Sequence, residues 1–149
     1  MTNQYILIAL ALLVGAVLPL QVGVNSKLAD SVGSPLLSAL LSFTVGTFAL
    51  LTYVLITGVP IASAANARGA SPIAWTGGLL GAFFVAMSII LLPKLGVATT
   101  VTLIIAGQML MSLIMDHFGL LGVPVREINI ARVGGIILVI AGVLLIKRY

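Results

Sequence analysis

Gln21 and Asn25, four residues apart, and Gln108, Ser112 and Asp116, at successive four-residue steps, are the side chains of this 149-residue chain best suited to handling a ligand. Four-residue spacing gathers each set on one face of a helix, and the run from Gln108 to Asp116 falls within about 80° of arc. Both sets lie in or beside long apolar runs. An amide left unpaired in hydrocarbon costs roughly 2–7 kcal/mol, so each needs partners or a wet cavity. Cross-linking of helices is a common use of such amides. Two amides, a proline at position 19 inside an apolar run and an adjacent hydroxyl stripe favour a substrate cavity. Thr100, with Thr99 and Thr102, carries hydroxyls toward the other end of the second run. A threonine can also bond its own helix carbonyl four residues back.

Missing groups narrow the chemistry. Between Tyr5 and Val24 there is no carboxylate, and exchanging an organic cation for protons needs a titratable acid at membrane depth. Amides and hydroxyls suit a neutral, zwitterionic or anionic solute. The acids are Asp30, Asp116 and Glu127, the lone imidazole is His117, and cysteine is absent. None of these forms a metal motif, a nucleophile elbow, a phosphate loop or a paired-carboxylate site. No catalytic residue, metal or cofactor is expected. Asp116 and Lys27 are the residues expected to couple or gate movement, with an interfacial structural ion pair as the other reading of Asp116. A carboxylate in the last turn of a helix opposes the dipole at a cost of a few tenths to ~1 kcal/mol. Asp116 should therefore have a cationic partner, with Arg126, Lys94 and Lys27 as candidates. Lys27 and Asp30, three apart, could pair on one helix face.

With 61% hydrophobic and 7% charged residues, the chain is far from the ~25% charged residues of a soluble domain. The class is all-α integral membrane protein, one transmembrane domain over residues 1–149. Five apolar runs, 5–24 (extending to 30 if the helix continues), 35–57, 73–92, 96–115 and 130–146, each approach the ~20 residues needed to cross a bilayer. Pro19 predicts a kink in the first. Ser34-Pro35 opens the second with a cap and a first-turn proline. Residues 60–72 read as a flexible surface connection, and 92–96 as a tight turn. Trp75 and the end of the chain, Lys147, Arg148 and Tyr149, read as interface anchors. The first run reads as a retained helix rather than a signal peptide, and a bacterial inner membrane as the home. The net charge of +4 lies beside lipid headgroups and is too scattered for a nucleic-acid surface.

An odd number of spans puts the termini on opposite sides. With the N-terminus outside, Lys27, Lys94, Lys147 and Arg148 lie inside and Arg68, Arg126 and Arg132 outside, four against three. Orientation follows Lys/Arg asymmetry in short loops, so such a chain can insert both ways. Small residues recur at four-residue spacing in Ser38/Ser42/Gly46, Gly77/Gly81 and Ala131/Gly135, the last continued by Gly142. Such stripes let helices approach closely in lipid. The stripe of Ala131, Gly135 and Gly142 is the expected dimer seam, with contact inside one chain as the alternative.

The run Gly33-Ser-Pro-Leu-Leu-Ser-Ala-Leu-Leu-Ser-Phe-Thr-Val-Gly46 and the run Gly96-Val-Ala-Thr-Thr-Val-Thr, continued by Gln108, Asp116-His-Phe-Gly119 and Val123-Pro, resemble the YdcZ-like inner-membrane exporters. That family is a half-size branch of the drug/metabolite transporter superfamily, and the resemblance covers essentially the whole chain. It implies five helices, equivalent to one half of ten-helix members whose halves are inverted repeats. It also implies that Gln21, Asn25, Gln108 and Asp116 occupy family-typical polar positions. The chain departs from the related small multidrug resistance exporters in lacking their first-helix glutamate. The resulting expectation is a small-molecule exporter working as an antiparallel homodimer in the lipid bilayer. Substrate contacts fall to Gln21, Asn25, Gln108, Ser112 and Thr100. A passive channel of opposed chains and a non-transporting membrane subunit are the alternatives.

Overall fold

A computed structural model describes residues 3–148 of the chain. Among them are five α-helices and no strand: α1 (Gln4–Val32), α2 (Pro35–Ile56), α3 (Thr76–Leu95), α4 (Val97–Phe118) and α5 (Ile130–Arg148). The first four include helices long and apolar enough to cross a membrane, and the fifth carries the shorter apolar stretch Ile130–Ile146. The chain is thus a five-helix membrane protein. Tyr149 and the side chain of Lys147, both expected as anchors, lie outside what is described.

α1 runs unbroken through Pro19. Its 29 residues make about 43 Å of helix against a hydrocarbon core of about 30 Å. The polar stretch from Lys27 to Val32 therefore projects to headgroup level as helix. Ser34 then caps α2, its Oγ accepting from the Leu37 N–H at 3.3 Å.

Two expectations need correction. Residues 61–69 and 72–75 form 3-10 helices, not a featureless connection. Small side chains there leave room for tight i→i+3 turns, such as Ser63 N–H to the Pro60 carbonyl. The expected turn at 92–96 is helical as far as Leu95. A proline in the last turn removes one bond only, and the chain breaks instead at Gly96, whose φ of 80° and ψ of 160° suit a residue without Cβ.

The chain divides into two compact units, one ending at Lys94 and one beginning at Leu95. In the first, α1 and α2 form an antiparallel hairpin, and α3 packs on it. Ala29 and Ala39 meet Val85, Ala86 and Ile89 in one core, flanked by Phe84 and Met87. α3 contributes Val85, Ala86, Ser88 and Ile89 to the buried residues of this unit. In the second unit α4 and α5 pack together, joined by a turn that Gly119 starts in the left-handed conformation.

Candidate functional site

Unit by unit, the polar residues are built in differently. On α1, Asn25 is 5% exposed, and its backbone carbonyl accepts from Ser38 Oγ at 2.6 Å. Ser38 is itself fully buried, so the first residue of the Ser38/Ser42/Gly46 stripe seats α2 on α1. The Asn25 amide nitrogen, Nδ2, is buried with no hydrogen-bond partner among the described residues.

One helical turn away, Gln21 lines a cavity of about 220 Å³ with Ser42, Phe43, Gly46 and Thr47. Small residues of α2 leave this space open. The ring of Phe43 lies over Gly81 of α3, where a Cβ would sit 3.6 Å from Cζ. Thr47 does not compete for a ligand, because its Oγ1 donates to the Phe43 carbonyl at 2.8 Å. The Gln21 side chain is exposed and makes no hydrogen bond among the described residues. Its amide is available. Gly81 thus serves a contact within one chain, while Ser42 and Gly46 border open space.

On α4 the expected stripe divides. Gln108 stands at the middle of the 22-residue helix, exposed. Ser112 and Asp116 share a cavity of about 270 Å³ with Met109, Arg132, Gly135 and Ile136. Ser112 Oγ donates to the Met109 carbonyl at 2.9 Å. Asp116 Oδ2 accepts from Arg132 Nη1 at 3.2 Å, the two side chains being 37% and 28% exposed. Asp116 does have a cation, but Arg132 rather than Arg126, Lys94 or Lys27. The turn folds back so that Arg126 gives its backbone instead: its N–H donates to the Asp116 carbonyl at 2.8 Å, and its carbonyl accepts from Arg132 Nη1 at 3.2 Å. Asn129 Oδ1 caps α5 by accepting from the Arg132 N–H, and the Ile128 N–H reaches His117 Nδ1 at 3.4 Å. The ion pair therefore fastens α5 to the end of α4.

Thr100 is 1% exposed, and its Oγ1 has no partner among the described residues. Thr102 spends its hydroxyl on the Ala98 carbonyl. Lys27 is exposed and forms no ion pair with Asp30; among the described residues Arg132 with Asp116 is the one pair. Along α5, Ile136 and Val143 are buried. At 100° per residue, Ala131, Gly135 and Gly142 lie roughly 90–140° around the helix from Ile136. The expected seam thus flanks the packed face: Ala131 is exposed, while Gly135 borders the α4–α5 cavity. Sequence reasoning missed the role of Arg132. A lone guanidinium in the first turn of α5, facing a lone carboxylate in the last turn of α4, was the available signal.

A family model described as "Putative inner membrane exporter, YdcZ" matches residues 6–145. Inner membrane protein YdcZ of Escherichia coli (strain K12) is 30% identical over 149 residues, covering 98% of this chain and 98% of that protein. No solved structure matches the chain.

Proposed function

The chain belongs to the YdcZ family of inner-membrane exporters, and from that premise we propose that it carries a small neutral, zwitterionic or anionic organic solute by alternating access, as an antiparallel homodimer. It is a multi-pass inner-membrane protein. Two five-helix chains of opposite orientation make an inverted repeat, the architecture in which transporters hold substrate near the midplane.

The observation that carries this reading is Gln108. Its amide stands exposed at the centre of an apolar helix, with no side-chain hydrogen bond among the described residues. Hydrocarbon cannot satisfy it, and a solute in a wet path can. Gln21 supports the same reading on α1, because it opens into a cavity without a partner of its own. Asn25 and Thr100 add buried polar atoms without partners. None of these four residues is charged, and the solute class accordingly excludes cations held by a carboxylate.

A solute screen on purified protein in liposomes tests the reading. Saturable flux is expected for at least one solute of this class. Gln108→Ala should lower it roughly tenfold or more, about the worth of one desolvated hydrogen bond. Flux that never saturates would instead identify a channel. Saturable flux that Gln108→Ala leaves unchanged would remove Gln108 from the path, and no flux from either protein would leave the non-transporting subunit.

A further inference from the structure

At one end of the first unit lies a cavity of about 540 Å³, lined by Ser26 and Asp30 of α1, Gly33, Pro35 of α2, and Ile89 and Lys94 of α3. Its volume is that of an ordinary small-molecule site. It opens where α1 ends, α2 begins and α3 ends, so it sits at headgroup level, away from Gln21 and its smaller cavity.

Its wall carries one charge of each sign, and neither forms an ion pair among the described residues. Asp30 stands in the last turn of α1, against the sign the helix dipole favours, and that turn holds no basic residue. Lys27 lies one turn before it on the same helix, yet the two make no ion pair. Lys94 lines the same cavity and makes none either. Pro35 brings the positive end of α2 to the wall. Ile89 and Pro35 supply apolar surface to the same lining.

We propose that this cavity binds a zwitterion, its ammonium on Asp30 and its anionic group on Lys94 beside the start of α2. The shared chemistry is that of an ethanolamine phosphate, carried either by phosphatidylethanolamine or by a free solute. The site goes beyond the transport reading and does not depend on it, since binding is read without flux.

The full chain is reconstituted in vesicles of equal phosphatidylethanolamine and phosphatidylglycerol, extracted, and its retained lipids are counted by native mass spectrometry. Free phosphoethanolamine is titrated calorimetrically into the detergent-purified protein alongside. In the lipid case, phosphatidylethanolamine is retained over phosphatidylglycerol by roughly tenfold, about one charge-assisted contact. Asp30→Asn turns that preference toward phosphatidylglycerol, because only the ammonium remains. Lys94→Gln abolishes retention of both. In the free-solute case, phosphoethanolamine gives binding heat that either substitution removes. Asp30→Glu and Lys94→Arg keep the charges and should keep the original behaviour, which separates loss of charge from loss of fold. Equal retention of the lipids with no binding heat overturns the proposal, as does any preference or heat that Asp30→Asn and Lys94→Gln leave unchanged. An equal loss in the charge-keeping variants overturns it too.

Discussion

Asn25 carries a buried amide nitrogen with no hydrogen-bond partner among the described residues. An unsatisfied buried donor costs about 1–3 kcal/mol, so the residue is a poor choice for stability alone. Asn25→Leu keeps the backbone carbonyl that accepts from Ser38 and removes the unpaired group. Thermal unfolding in detergent should therefore shift upward while solute flux falls. A rise in both would mean that the amide has no part in transport. The Asp116–Arg132 pair is a different case. With both side chains about a third exposed, water screens it, and a double-mutant cycle with Asp116→Asn and Arg132→Gln should return a coupling of about 1 kcal/mol or less. The need for a cation at Asp116 was legible from the helix dipole. For Arg132 the signal was its place in the first turn of α5; its second contact, to the Arg126 carbonyl, depends on the turn folding back.

The helices themselves were the legible part. Hydropathy located all five, and Ser34 with Pro35 announced the start of α2 to the residue. What lay between them was harder to read. Residues 61–69 are mostly small, and small residues fit a 3-10 turn or an irregular loop about equally well. The turn expected at 92–96 contains Pro93, but a helix already in its last turn loses little by including a proline. The turn between α4 and α5 depends on Gly119, with φ of 59°, where a Cβ would come within 2.8 Å of Val125 Cγ2. A Cβ in the left-handed region costs about 1–2 kcal/mol before any such contact. Gly119→Ala should destabilise the α4–α5 unit by at least that amount, measured by denaturant unfolding of the full chain in detergent. The loss should be concentrated in amide exchange after Phe118.

At the scale of the whole molecule, an orientation rests on four basic residues against three. Two C-terminal reporters, one active only inside the cell and one only outside, should both give signal for the original chain. Arg68→Ala, which makes the balance four against two, should raise the inside signal at the expense of the outside one. Signal from one reporter alone in the original chain would rule out dual insertion. One arginine in that balance later changes its status. Arg132 is read by the insertion machinery as a free positive charge, since acidic residues weigh little in that decision. It meets Asp116 and the Arg126 carbonyl only once α4 and α5 lie together. Any such balance is weighed on charges that the finished fold no longer presents as free. Whichever way the chain inserts, this clasp leaves one fewer free arginine on its side than the inserting chain carried.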